Sequence, residues 1–79
     1  MEEAEVYDRL NGIFGEVFGD DSLRITPDLT AEDVDEWDSL AHIRLVTTVE
    51  RSFHIRFSAA EIGALRNVGE LVQLIRAKQ

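Results

Sequence analysis

Residues 36–40 read Glu36-Trp37-Asp38-Ser39-Leu40, a stretch in which an acidic loop runs into an apolar helix. Asp38 is a good N-cap, because its carboxylate can accept hydrogen bonds from the free N–H groups of a first helical turn. Ser39 then lies at the predicted helix start, where those N–H groups and the positive end of the helix dipole favour an anion such as a phosphodiester. Asp-Ser is also a common way simply to begin a helix.

Length and composition restrict the class of protein. The 79 residues suffice for one domain, residues 1–79, and 44% of them are hydrophobic. No apolar run exceeds two residues, so neither a membrane span nor a secretory signal is predicted. The absence of cysteine excludes disulfides, thiolate metal sites and a protein-borne thiol nucleophile. We expect a monomer in the cytoplasm, with no membrane partner.

Charge is divided unevenly along the chain, whose net charge is −8. All but three of the 16 acidic residues precede Ser39, whereas all but two of the 8 basic residues follow it. The acidic half disfavours nucleic acid as a partner, because phosphate binding needs clustered Lys and Arg. It favours basic protein surfaces, or serves only to keep a small domain in solution.

Hydrophobic spacing and capping signals predict four helices, at about residues 2–18, 39–51, 59–65 and 68–78. Residues 20–37 should form a long loop pinned to the core by apolar side chains, with a helical turn near 31–35. The fragment 53–57 is predicted to be an extended loop pinned by Ile55 or Phe57. The expected fold is therefore an all-α four-helix bundle with a long first loop and a short third helix.

The second helix is apolar on two faces. The face predicted to enter the core carries Leu45, Val46 and Val49. Leu40, Ile43 and Thr47 lie roughly opposite them. Because a domain of this size cannot easily surround a helix, this second face predicts a surface for a partner next to Ser39.

No catalytic constellation is evident. His42 lies on the core-facing side and is interpreted as a packed, hydrogen-bonded histidine, and His54 does not form a metal pair with it. Ser39 has no base positioned by sequence. The acidic stretch 28–38 lacks the glycine and terminal Glu of a calcium loop. The chain is not predicted to be an enzyme.

The order of these features resembles the acyl carrier proteins over nearly the whole chain. The specific part is Trp37-Asp38-Ser39-Leu40-Ala41-His42-Ile43-Arg44-Leu45-Val46, with Glu50 and Phe53 beyond it. The resemblance implies that a phosphopantetheinyl transferase attaches 4′-phosphopantetheine from coenzyme A to Ser39. The arm's thiol, which the cysteine-free chain lacks, would then carry an acyl group as a thioester.

The resemblance also implies roles for residues around Ser39. Asp38 matches the acidic residue that helps the transferase to recognise its substrate. The partner surface is expected to comprise Leu40, Ile43, Arg44, Thr47, Glu50 and Arg51. Its partners would be the acyl-loading and acyl-processing enzymes of a synthase.

Two departures from the family pattern bear on the pathway. Trp37 stands two positions before Ser39, where many members have Gly. Arg44 and Arg51 dilute the acidity of the second helix of well-known fatty-acid carriers, and only Glu50 remains. These departures favour a discrete carrier of polyketide or hybrid natural-product synthesis over housekeeping fatty acid synthesis.

Three alternatives stay open at the level of sequence. The chain could be a peptidyl or aminoacyl carrier, against which Asp38 argues only mildly. It could be a helical interaction module that uses the acidic loop and the second apolar face without a prosthetic group. It could also be a cation binder that uses the acidic loop.

Overall fold

A computed structural model describes residues 1–79 and contains four α-helices and no strand. The helices are α1 (Glu3–Phe18), α2 (Ser39–Phe53), α3 (Ala59–Ala64) and α4 (Val68–Ala77), and a 3₁₀ turn at Ala31–Asp33 interrupts the first loop. The predicted all-α fold with a short third helix is confirmed, and α2 runs two residues beyond its predicted end. No helix of the bundle has both the length and the hydropathy to cross a membrane.

Apolar spacing and a glycine stop define α1. Its side chains at Val6, Leu10, Ile13 and Phe14 are buried, as the spacing of three and four residues requires of one helical face. The helix ends at Gly19, whose φ of 65° is the left-handed conformation that favours glycine. The sequence therefore fixes both the inner face of α1 and its end.

One hydrophobic core joins α1, α2 and α4. Phe14, Leu10 and Leu45 are among the largest side chains fully withdrawn from solvent. Phe57 is buried and Ile55 is half-buried, so both residues pin the extended segment after α2. The buried cluster comprises Val6, Leu10, Ile13, Phe14, Leu45, Val46, Val49, Phe53, Phe57, Val68, Leu71, Val72 and Ile75.

The long loop between α1 and α2 is hydrogen-bonded to α1 and to the start of α4. The Asn11 side chain donates to the Leu23 carbonyl at 3.1 Å and accepts from the Ile25 N–H at 2.8 Å. At the start of α4, the Gly69 N–H donates to the Pro27 carbonyl at 2.8 Å. A Cβ at Gly69 would lie 3.0 Å from that carbonyl oxygen, so glycine permits this close approach. These bonds order a loop that has little regular structure of its own.

The short helix α3 is held mainly by its ends. Ser58 and Glu61 form the predicted capping box, and Lys78 of the C-terminal turn lies 3.0 Å from the Glu61 carboxylate. The pKa of Glu61 is lowered, chiefly because its carboxylate accepts the Ser58 N–H and also because it meets Lys78. No residue of α3 itself is fully buried, and only Ile62 among its side chains packs half-buried against the core.

Gly12 within α1 and Gly19 just after it should respond to alanine in opposite directions. Gly12→Ala should raise the free energy of unfolding by about 0.5–1 kcal/mol, because a Cβ there meets nothing and alanine favours the helix. Gly19→Ala should lower it by about 1 kcal/mol, because a side chain strains the left-handed conformation. Urea unfolding measures both, and an unchanged or more stable Gly19→Ala variant would contradict the assigned helix stop.

Candidate functional site

Ser39 is the first residue of α2 and is exposed. Asp38 caps the helix as predicted: its Oδ1 accepts the Ala41 N–H at 2.8 Å, and its carbonyl accepts the His42 N–H at 2.9 Å. The N–H groups of Ser39 and Leu40 donate no hydrogen bond within the chain. The Ser39 hydroxyl therefore stands in solvent beside two free donors at the positive end of a 15-residue helix.

Trp37 fixes the approach of the chain to Ser39. Its ring meets Phe14 of α1 edge to face, with centroids 5.3 Å apart, and lies 5.9 Å from Phe18. Such aromatic pairs stabilise beyond the area that they bury. The residue that departs from the family pattern is thus half-buried against α1, and it anchors the loop end from which α2 begins.

His42 is hydrogen-bonded, as predicted, but it lies at the rim of the core and is half-buried. The Trp37 indole N–H donates to its Nδ1 at 3.1 Å, and its Nε2 lies 3.3 Å from the Ile62 carbonyl oxygen. His54 lies apart from it as the exposed C-cap of α2. No group of three or more His, Asp or Glu side chains is placed to hold a metal ion.

The outer face of α2 is exposed along its length. Leu40 is 71% exposed and Ile43 is 55% exposed, and Met1 is the other large apolar side chain with such exposure. Arg44, Thr47 and Arg51 are exposed beside them. The second apolar face inferred from the sequence therefore faces solvent next to Ser39, where it is open to contact by another protein.

Glu50, the sixth residue expected on this surface, has a different position. It is half-buried, and its Oε2 accepts the Phe57 N–H at 2.8 Å. The carboxylate thus holds the segment that follows α2. Sequence spacing cannot reveal this contact, because it depends on how the chain turns back after the helix.

An apolar cleft of about 610 Å³ opens beside Ser39, between α2 and α3. Trp37, His42 and Ile43 line it on one side, and Ile62 and Leu65 on the other. A larger groove of about 960 Å³ runs between α1 and the α3–α4 junction, but it does not include Ser39. Only the smaller cleft therefore adjoins the candidate site.

These residues fit a phosphodiester-linked group at Ser39. The hydroxyl is accessible, the free N–H groups and the helix dipole favour the phosphate charge, and the cleft offers apolar surface nearby. Nothing in the site supplies a base to activate the hydroxyl, since His42 has both nitrogens engaged elsewhere.

Comparison with known proteins identifies the class. The family model for the phosphopantetheine attachment site matches residues 8–75. An acyl carrier protein of Lactobacillus johnsonii is 29% identical over 79 residues, which is 100% of this chain and 99% of that protein. The solution NMR structure of a holo acyl carrier protein from Geobacter metallireducens has a TM-score of 0.87 and 41% identity, over 92% of this chain and 84% of that one.

The chain therefore belongs to the acyl carrier proteins, which bind 4′-phosphopantetheine covalently. It is a carrier of acyl groups and not an enzyme, and it interacts with a phosphopantetheinyl transferase and with synthase enzymes. The family membership confirms the resemblance found in the sequence. It also contradicts the alternative of an interaction module that lacks a prosthetic group.

The cap at Asp38 should act through its oxygen and not through its charge. Asp38→Ala should lower the free energy of unfolding by about 1 kcal/mol, because the Ala41 N–H loses its acceptor. Asp38→Asn should lower the free energy of unfolding by only about 0.3 kcal/mol, because asparagine is about as good an N-cap as aspartate. Urea unfolding compares the two, and equal losses would show that the negative charge matters instead.

Proposed function

We propose that residues 1–79 act as one carrier unit and that Ser39 is its attachment residue. The observation that supports this most directly is the exposed Ser39 hydroxyl at the capped N-terminus of α2. Loading forms a bond between the Ser39 oxygen and the phosphorus next to pantetheine in coenzyme A. The pyrophosphate bond of coenzyme A breaks, and adenosine 3′,5′-bisphosphate and the hydroxyl proton are released. The bound group supplies the thiol that the chain lacks, on which an acyl group is held as a thioester.

The residues around Ser39 then have separate roles. Asp38 keeps the first turn of α2 closed and so holds the serine at the helix end. The free N–H groups of Ser39 and Leu40 lie beside the position that the phosphate would take. The exposed Leu40 and Ile43 side chains offer apolar contact to an enzyme that approaches the arm.

Loss of the Ser39 hydroxyl should abolish loading. Incubation with coenzyme A and a promiscuous phosphopantetheinyl transferase should add the mass of one phosphopantetheinyl group to the native chain and none to Ser39→Ala, as read by intact-protein mass spectrometry. Ser58→Ala is the matched control. Ser58 also lies at a helix N-terminus, as the N-cap of α3, but its hydroxyl accepts the Glu61 N–H, so this variant should load normally. Loading of Ser39→Ala, or no loading of the native chain by several transferases, contradicts the assignment.

We also propose that the outer face of α2 is the docking surface for the synthase enzymes. Leu40, Arg44, Thr47 and Arg51 follow one another at spacings of four, three and four residues, so they form one straight stripe at 100° per residue. Ile43 lies beside it. From Ser39 to Arg51 the stripe is roughly 18 Å long at 1.5 Å rise per residue.

Two cations of this stripe have no partner within the chain. The three ion pairs of the structure join Arg66 to Glu70, Arg76 to Glu3, and Lys78 to Glu61. Arg44 and Arg51 take part in none of them, nor does either side chain donate a hydrogen bond. Their charges are therefore available to carboxylates on another protein.

The charge of the exposed surface around Ser39 changes from negative before the serine to positive farther along α2. Asp35, Glu36 and Asp38 are exposed just before Ser39, whereas Arg44 and Arg51 lie farther along α2. A matching enzyme has basic groups near the mouth of its active site and acidic groups farther out, with an apolar contact between them. This polarity differs from the acidic second helix of well-known fatty-acid carriers, and it supports a polyketide or other specialised pathway as the setting.

Charge reversal on the stripe should slow acyl loading by the enzyme of the chain's own synthase. The double variant Arg44→Glu/Arg51→Glu should lose about tenfold in kcat/KM, because each reversal places like charges together at the interface. Arg56→Glu, which makes the same change at an exposed site after α2, should have little effect. Unchanged kcat/KM in the double variant, with Ser39 still loaded by the transferase, would refute the docking surface and leave the attachment site intact.

A further inference from the structure

Helix α3 has little hydrophobic attachment to the rest of the bundle. It is six residues long, and none of them is fully buried. Of its side chains, only Ile62 packs on the core, followed by Leu65 just beyond the helix end. So few buried contacts allow a segment to open at low free energy without unfolding the domain. Polar contacts at the ends of α3 therefore decide how firmly it stays in place.

The C-terminal carbonyls of such a short helix need partners from outside it. From the backbone, the Ile62 carbonyl oxygen accepts only one long hydrogen bond, from the Leu65 N–H at 3.5 Å. The second partner is Nε2 of His42, at 3.3 Å, which reaches across from α2. His42 thus bonds the end of α3 to α2 through a carbonyl that the helix leaves open.

The chemistry of both partners fixes the state of the His42 ring. The Trp37 indole N–H can only donate and the Ile62 carbonyl can only accept. His42 must therefore accept at Nδ1 and donate at Nε2, which is possible only for the neutral ring with its proton on Nε2. Trp37 selects the tautomer that holds α3, and Trp37 is itself packed against Phe14.

This chain of contacts borders the cleft beside Ser39. His42 and Trp37 form part of one wall, and Ile62 lies in the opposite wall. Since both His42 nitrogens are engaged, the ring offers the cleft its carbon atoms and not a free polar group. Movement of α3 away from α2 would widen the cleft, and such movement must break the His42–Ile62 bond.

We propose that Trp37, His42 and the Ile62 carbonyl form a clasp that keeps α3 closed over the cleft, with His42 as the positioning residue. The clasp sets how often α3 opens and thus how accessible the cleft is. The relevance of the cleft to the carried group rests on Ser39 as the attachment residue. The clasp itself does not, and it can be tested in the chain before loading.

Two conservative substitutions separate the two bonds of the clasp. In His42→Asn the side-chain amide extends about as far from the backbone as Nδ1 of the histidine ring. Its oxygen can therefore accept the Trp37 indole N–H, but the side chain is too short to reach the Ile62 carbonyl. In His42→Gln the side-chain amide extends about as far from the backbone as Nε2 of the histidine ring, so its N–H can donate to the Ile62 carbonyl. Amide hydrogen exchange by NMR follows α3 at Ile62, Gly63 and Leu65, and the buried Leu10 of α1 serves as the reference for global opening. The single indole N–H signal reports on Trp37.

Exchange at α3 relative to Leu10 should become about three- to tenfold faster in His42→Asn, as expected for the loss of one hydrogen bond. It should stay within about twofold of the native rate in His42→Gln, whereas the indole N–H should exchange faster there than in His42→Asn. The reference removes any general loss of stability from the comparison. An unchanged ratio of α3 to Leu10 exchange in His42→Asn, or equal acceleration in both variants, would overturn the clasp.

Discussion

The hydrogen bond from the Ala41 N–H to the Asp38 carboxylate determines where α2 begins, and most of the molecule's functional geometry follows from that point. Because a helix repeats every 3.6 residues, fixing its first residue fixes the direction of every later side chain. Leu45, Val46 and Val49 then enter the core, and Leu40 and Ile43 face solvent. A start shifted by one residue would leave Ser39 outside the helix end or turn it toward the protein. The cap therefore couples the packing of the domain to the exposure of its candidate attachment residue.

Helix α2 must be apolar on two faces, and these two requirements conflict in a domain of this size. Its inner face must contribute to a core that three long helices share, while its outer face keeps apolar side chains in water. Exposed apolar area is tolerated because the core is completed elsewhere, by α4 and by the segment around Phe57. Glu50 helps to complete the core at the end of α2, because its carboxylate accepts the Phe57 N–H and so holds the segment around Phe57 in place. The one acidic residue of α2 thus has a structural role within the domain.

The features that could be predicted from the sequence are those whose causes are local. The caps at Asp38, Ser58 and Asn67, the stop at Gly19 and the apolar spacing each depend on a few neighbouring residues, so they give the helices to within two residues. The family resemblance, confirmed by the matching family model, depends on the same local stretch around Ser39. Local signals thus carried both the fold class and the position of the candidate site.

The features that could not be predicted are contacts between segments. Nothing in the spacing of Asn11 shows that its amide holds the loop at Leu23 and Ile25, twelve and fourteen residues away. The same holds for Glu50, whose partner becomes its neighbour only after the chain reverses. The bond from Trp37 to His42 is the intermediate case: five residues separate them, but the bond forms only because α1 supplies the aromatic surface on which Trp37 packs.

The distribution of buried area among the helices has a consequence for a carrier. Helices α1, α2 and α4 supply nearly all of the buried cluster, so α3 contributes little to the core. A helix that contributes little to the core can change position at a small cost in free energy, and α3 is the helix that faces the cleft beside Ser39. Polar contacts suit such an element better than apolar packing would, because one hydrogen bond is worth about 1 kcal/mol and can be broken and remade. The fold thus places most of its buried contacts where Ser39 is held and few of them where α3 borders the cleft.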